Sequence, residues 1–131
     1  MIEIIEKIKE KLKKYPHVKF EEREGSITVL PFSDDGFEVA LYVGKQDAYE
    51  VHFNGWHENF SSDSEAFDCF AFGLSEECRL KEYSRGSLPY RWTVEFYRDE
   101  EWQEDSTTSL VFFPFWNAKV VRFLQNHLIS R

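Results

Sequence analysis

The residues best suited to chemistry are His52 and His57, which fall in a short stretch that also contains Glu50 and Glu58. Imidazole and carboxylate groups act as general acids and bases and as metal ligands. A zinc-type site needs about three protein ligands at ~2.0–2.2 Å, and no third ligand is evident beyond these glutamates. The pattern predicts no bound metal and no cofactor. It leaves open an enzyme or small-ligand binder with an aromatic pocket that uses His52 and His57.

The acidic run from Asp99 to Asp105, around Trp102, is a second group of charged side chains. It lacks the oxygen-ligand spacing and central glycine of an EF-hand calcium loop, so we interpret it as a solvated turn. The sequence also contains no phosphate-binding glycine loop, Rossmann fingerprint, Cys-x-x-Cys, His-Glu-x-x-His or Gly-x-Ser-x-Gly. Enzyme classes with local signatures therefore lose support, although a site assembled from distant residues stays open.

Four side chains in predicted loops are candidates for contact with a binding partner. They are Trp56, His57, Phe60 and Trp102. Binding residues are common on loops, and tryptophan is enriched at interface hot spots. The alternative interpretation is that these rings close the open ends of the core.

The charge of the chain, formally -8 over 131 residues, is unevenly distributed. Residues 20–78 carry 2 basic and 14 acidic side chains, a net charge of -12. An acidic chain repels phosphate backbones, so we expect no nucleic-acid partner. The acidic middle suits a basic protein partner, and ordinary solubility is the alternative explanation.

The two cysteines, Cys69 and Cys78, lie nine positions apart. On one helix they would be separated by roughly 13 Å along the axis, too far for a disulfide. Two isolated thiols are typical of a reducing compartment. The acidic start Met-Ile-Glu-Ile-Ile-Glu does not resemble a signal peptide, and no apolar run has the length of a membrane span. We therefore expect a cytoplasmic protein that does not associate with membranes.

Apolar residues at helical spacing predict three helices. The N-terminal helix carries Ile2, Ile5, Ile8, Leu12 and Tyr15, and the central helix begins at the capping box of Ser62 and Glu65. The C-terminal helix follows Pro114 and carries Val120, Phe123, Leu124, His127 and Leu128.

Alternating apolar and polar residues predict the strands. Four strands fall within residues 18–54, a weakly patterned strand at 79–83, a clear strand at 90–97 and a central strand at 110–113. Residues 54–60 and 99–105 are predicted to be irregular loops. Short turns between the strands indicate an antiparallel sheet.

We therefore predict a single α+β domain over residues 1–131, with helices mainly on one face of an antiparallel sheet of about 6–7 strands. The predicted order, α-ββββ-α-β(β)β-α, is similar to that of type III secretion chaperones, which are small, acidic and dimeric. An immunity-type inhibitor of a basic toxin fits the same size and charge. We expect a non-catalytic cytosolic binding protein that acts on a protein partner, chaperone- or immunity-like. Apolar area at Tyr42, Tyr97 and Phe112 on the second face of the sheet predicts a homodimer.

Overall fold

The structure is a computed structural model, and it describes residues 3–110 and 116–130. Helix α1 (Glu3–Leu12) comes first and helix α2 (Asp63–Leu74) lies mid-chain. Between them lie β1 (Phe20–Arg23), β2 (Ser26–Val29), β3 (Val39–Val43), β4 (Tyr49–Phe53) and β5 (Trp56–Phe60). After α2 come β6 (Cys78–Arg85), β7 (Leu88–Arg98), β8 (Glu101–Ser109) and β9 (Lys119–Leu124). The predicted α+β class is confirmed.

The strands form two antiparallel sheets, and the prediction of one sheet of 6–7 strands is wrong. The first sheet has five strands in the order β1-β2-β3-β4-β5, and the second has four in the order β8-β7-β6-β9. Helix α2 separates them along the chain, and it begins as predicted, with the Ser62 hydroxyl accepting a hydrogen bond from the Glu65 N–H. A strand that follows a crossing helix is free to start a new sheet, and sequence periodicity does not report which sheet it joins.

The core lies on the inner face of the first sheet, where both helices contribute. Ile27, Leu41 and Val51 are fully buried in the middle of that sheet, and the apolar stripe of α1 joins the same cluster. Each such side chain stabilises the fold by roughly 1.5–3 kcal/mol. Period-2 burial in β2 and β4 follows the alternation that the sequence predicts, whereas in β3 the predicted polar-face residue Ala40 is buried together with Val39 and Leu41.

Three aromatic rings and two glycines connect α2 with the two sheets. Phe53 stacks on Trp56 with ring centroids 4.6 Å apart, and its edge fills the space over Gly73 of α2. Trp92 of β7 lies directly over Gly55. A Cβ atom on either glycine would overlap the ring that covers it. We call these five residues the aromatic joint, because their contacts set the distance between α2, the first sheet and the second sheet.

Residues 56–60, predicted to be an irregular loop, form strand β5. It pairs with β4 across the two-residue turn Asn54-Gly55, in which Asn54 has a φ of 52°. The Asn54 Oδ1 accepts a hydrogen bond from the Glu38 N–H at 3.0 Å, which fixes the turn to the neighbouring loop. Asn-Gly between extended segments is a strong hairpin signal, and the prediction overlooked it.

Most of the predicted acidic loop, residues 99–105, belongs to strand β8. The turn from β7 to β8 is Asp99-Glu100, with φ values of 55° and 64°. Neither residue is the glycine that such a turn favours. Strand β8 is polar and largely exposed on both faces, so its sequence has no apolar alternation to detect.

The predicted C-terminal helix is also wrong, because residues 119–124 form β9, which pairs antiparallel with β6. Strand geometry points Phe123 outward, 50% exposed, and Leu124 inward, 2% exposed, whereas a helix would have buried both. The adjacent β-branched Val120 and Val121 favour a strand. With this helix replaced by a strand, the element order no longer matches that of secretion chaperones.

The predicted central strand at residues 110–113 is only partly described. Leu110 directly follows β8 and is 44% exposed, so it does not begin a buried strand. Val111, Phe112 and Phe113 lie outside the described residues.

The side chain of Asn126, which follows β9, connects the C-terminal segment to the core through three hydrogen bonds. Its Oδ1 accepts from the Phe37 N–H at 3.1 Å, and its Nδ2 donates to the carbonyls of Phe37 at 3.1 Å and Gly73 at 2.9 Å. The side chain is 2% exposed, so water does not compete for these bonds. One amide therefore links the C-terminal segment to α2 and to the β2–β3 connection.

Gly73→Ala should lower the free energy of unfolding by about 1–3 kcal/mol, because the added methyl overlaps Phe53. At an open helical position the same change would stabilise by up to about 1 kcal/mol. Urea melts measure the difference. The control is Gly73→Ala in a Phe53→Leu background, where the blocking ring is gone and the added cost should shrink. Unchanged stability of Gly73→Ala in the parent would show that α2 does not pack this closely.

Asn126→Ala should lower the free energy of unfolding by about 3 kcal/mol, because buried groups of Phe37 and Gly73 lose their hydrogen-bond partner. The matched control is Gln125→Ala, whose amide bonds the Glu76 carbonyl at an exposed position. That change should cost less than about 1 kcal/mol. Equal losses in the two variants would show that the buried hydrogen bonds of Asn126 do not stabilise the fold more than an exposed one does.

Candidate functional site

Of the four predicted contact residues, Trp56 belongs to the core. It is 2% exposed, and its Nε1–H donates to the Ser106 hydroxyl of β8 at 3.0 Å. The position is in β5 rather than in a loop. In this conformation the indole is not accessible to a partner.

The other three predicted residues do not converge on one surface. Phe60 is half-buried and packs against the core. His57 is exposed on the outer face of the first sheet, and the half-exposed Trp102 lies at the start of β8, beside Tyr97 of β7. Their part in binding stays a prediction, with His57 and Trp102 on different sheets.

His52 and His57, which the sequence leaves open as a joint site, are cross-strand neighbours in β4 and β5. Their rings stack with centroids 5.3 Å apart, and Tyr42 meets His52 edge-on at 4.9 Å. The His52 Nε2 lies 3.0 Å from a Glu50 carboxylate oxygen. Within residues 3–110 and 116–130, no group of three or more His, Cys, Asp or Glu side chains is arranged to hold a metal ion.

A surface pocket of about 210 Å³ lies elsewhere, after β9 and beside the β2–β3 connection. His17, Phe32 and His127 are among its lining residues. It does not include His52 or His57. The predicted aromatic pocket around the histidine pair is therefore not this cavity.

Glu58 of β5 lies close to other carboxylates at the junction of the two sheets. Burial raises the pKa of Glu58 above its ordinary value, and repulsion from Asp105 and Glu65 raises it further. The deprotonated form is thus less favourable in the folded chain than in the unfolded one.

The outer face of the second sheet carries charged and exposed apolar side chains together. Strand pairing brings four cations together there with exposed aromatic and aliphatic side chains. We call this surface the cationic face. Its cations are Arg79, Lys81, Arg91 and Lys119, and its apolar side chains are Tyr83, Tyr97, Trp102, Val121 and Phe123.

Arg79 organises one half of the cationic face. Its guanidinium lies between two rings, 4.5 Å from the centroid of Trp102 and 4.2 Å from that of Phe123. Its Nε–H donates to the carboxylate of Glu95, which is 6% exposed. The pair neutralises a buried carboxylate, and the rings hold the guanidinium in place.

Tyr83 organises the other half. Three cations approach its ring: Lys81 at 5.1 Å, Lys119 at 5.2 Å and Arg91 at 5.4 Å from the centroid. A hydrogen bond with Tyr83 raises the pKa of Lys81, although partial burial opposes the rise. The charged groups of Lys81, Arg91 and Lys119 therefore lie close together around the Tyr83 ring on the outer face of the second sheet.

Part of the cationic face is exposed apolar area. Phe123 is 50% exposed, Tyr97 48% and Val121 41%. The buried residues of both described helices belong to the core on the opposite side of the sheet. The sheet thus presents a patterned surface that neither of these helices covers.

Sequence reasoning singled out Trp102 and Tyr97 but not the rest of this surface. The alternation of Arg79, Lys81 and Tyr83 in β6 was visible, but this strand was only weakly predicted. The helical spacing of Val120, Phe123 and Leu124 predicts instead that Phe123 lies on the core stripe of a helix. The signal that could have found the face is the pairing of β9 with β6, which is a contact between distant segments.

Glu58→Gln should stabilise the fold slightly at pH 7. Because the pKa of Glu58 is raised in the folded state, its ionisation costs stability at neutral pH, and that cost vanishes as the carboxyl protonates in both states. The gain should therefore disappear below about pH 3.5. Exposure of the side chain keeps the gain small. Urea melts at both pH values measure it, with Glu21→Gln on the exposed strand β1 as control. A gain that persists at the lower pH would contradict this explanation.

Neither helix in the described ranges is long and apolar enough to cross a membrane. Comparison with known proteins found no family model, no curated protein and no solved structure that matches the chain.

Proposed function

We propose that the chain is a small, acidic, non-catalytic binding protein that acts on a protein partner in the cytoplasm, in the manner of a chaperone or an immunity protein. The observation that carries the proposal is the cationic face. It combines exposed apolar side chains with positioned charges on an antiparallel sheet. Aromatic residues and arginine are the types enriched at protein interfaces.

The contacts that hold Arg79 in place support this use of the cationic face. Arg79 is held by Glu95 and by the rings of Trp102 and Phe123, so little side-chain freedom would be lost on binding. Ordering a flexible side chain at an interface costs about 0.5–1.5 kcal/mol. A pre-ordered face avoids much of that cost.

The histidine pair supports the alternative, an enzyme or small-ligand binder, less well. His52 and His57 stack against each other on the outer side of the first sheet, and His57 is exposed. General acid–base catalysis depends on groups positioned around a bound substrate, and the 210 Å³ pocket described above is lined by other residues. We therefore favour binding over catalysis.

Two further expectations belong to this proposal. The two cysteines of the sequence, Cys69 and Cys78, form no disulfide with each other, which supports a reducing compartment. Tyr42 and Tyr97 are exposed on the outer faces of the two sheets, which agrees with a homodimer. The third residue of that argument, Phe112, lies outside the described residues.

The test is site-specific photo-crosslinking in cells. With a photoreactive benzoylphenylalanine in place of Phe123, irradiation should attach one main protein, which mass spectrometry identifies. A matched control places the same amino acid at Tyr42, which is 44% exposed against 50% for Phe123 but lies on the first sheet. The proposal fails if Phe123 gives no protein adduct or gives the same adducts as Tyr42. A second copy of this chain as the adduct would support the homodimer.

A further inference from the structure

The cationic face concentrates positive charge on an acidic chain. The whole chain carries a formal charge of -8, yet Lys81, Arg91 and Lys119 all lie within 5.4 Å of the Tyr83 ring centroid. Like charges this close repel one another, and attraction to the ring offsets part of that repulsion. An anion bound beside the Tyr83 ring would offset the remaining repulsion among these three cations.

The carboxylates of the described chain leave part of this charge uncompensated. Arg79 is paired with Glu95, and Lys81 lies near enough to Glu95 and Glu104 to be attracted by both. Arg91 and Lys119 are exposed, and neither forms a salt bridge with any carboxylate of residues 3–110 and 116–130. The free charge therefore lies at the end of the face where Tyr83 and Val121 pair.

We propose that the cationic face docks an acidic segment of a protein partner. Carboxylates of that segment bind Arg91 and Lys119, and its apolar side chains pack on Val121 and on the half of Phe123 that stays exposed beside its cations. Charge complementarity and the adjoining exposed apolar area are the two features that this occupant satisfies together. The inference rests on the proposed function and specifies the chemistry of its partner. It differs from the basic partner expected from the acidic residues 20–78.

A nucleic acid fits this face less well than a protein segment does. Single strands bind by stacking their bases on open aromatic rings. Here the rings of Tyr83, Trp102 and Phe123 already have cations over them, at 4.2–5.4 Å from the ring centroids. The net charge of -8 adds a long-range repulsion for a polyphosphate. Carboxylates need only the outward N–H groups of the cations, which stay available.

Fluorescence anisotropy with three labelled probes tests the proposal: a peptide of alternating Glu and Val, a peptide of alternating Lys and Val, and an oligothymidylate. We expect the Glu-Val peptide to bind the parent protein, with affinity that falls as salt rises. The double variant Arg91→Gln/Lys119→Gln should weaken this binding by about tenfold or more, since two charge-assisted hydrogen bonds are lost. The conservative variant Arg91→Lys/Lys119→Arg should retain it.

The matched control is Lys7→Gln/Lys14→Gln, which removes two exposed lysines from α1 and the residues after it. This variant should bind the Glu-Val peptide as the parent does. Equal weakening in both double variants would mean a general charge effect and overturn the proposal. So would preferred binding of the oligothymidylate or of the Lys-Val peptide, or no binding of the Glu-Val peptide.

The crosslinking experiment separates failure of this inference from failure of the proposed function. If Phe123 attaches a protein but the Glu-Val peptide does not bind, the binding function stands and the acidic partner is wrong. If light scattering shows that the parent self-associates and that Arg91→Gln/Lys119→Gln does not, the acidic residues 20–78 of a second copy occupy the face, and the proposal of a separate partner falls.

Discussion

The close contact of Phe53 and Trp92 with two glycines is the constraint on which the arrangement of the sheets depends. Gly73 lets α2 approach the ring of Phe53, and Gly55 lets the β4–β5 turn approach the ring of Trp92. Phe53 and Trp56 stack between these two contacts, so α2 and both sheets share one packed cluster. Because protein interiors are close-packed, a change of one methyl group here is felt in all three elements.

The aromatic joint also determines which face of each sheet is exposed to solvent. It fixes the inner faces of both sheets against the core, so alternation along each strand sends every second side chain outward. On the first sheet this exposes Tyr42 and the stacked His52 and His57. On the second sheet it exposes the cationic face. The two outer faces thus differ in charge although both are made by the same period-2 geometry.

The cationic face shows how one buried ion pair can organise an exposed surface. Glu95 is buried on the outer side of β7 and requires a partner, which Arg79 supplies from β6. The guanidinium then attracts the rings of Trp102 and Phe123 from the two edge strands of that sheet, β8 and β9. A contact across four strands therefore fixes the positions of side chains that are distant in the sequence.

Sequence reasoning placed correctly the features that depend on neighbours within a few residues. The stripe of α1, the capping of α2 at Ser62 and the alternation of β2 and β4 are local patterns, and each is present. Of the candidate site, it singled out His52 and His57, and the pairing of β4 with β5 places them side by side. It missed strand β5 because the Asn54-Gly55 turn signal was overlooked, not because the signal was absent.

By itself, the sequence determined the α+β class, the first four strands, the two described helices and the uneven distribution of charge. Only the tertiary structure decided that the strands of the described residues divide into two sheets, that Trp56 is buried and that residues 119–124 form a strand. The physical reason is that these features depend on pairing between distant segments. Val120, Phe123 and Leu124 suit a helical stripe as well as a strand, and only the backbone groups of β6 distinguish the two. The cationic face exists only once β6, β7, β8 and β9 lie side by side, so no single stretch of sequence contains it.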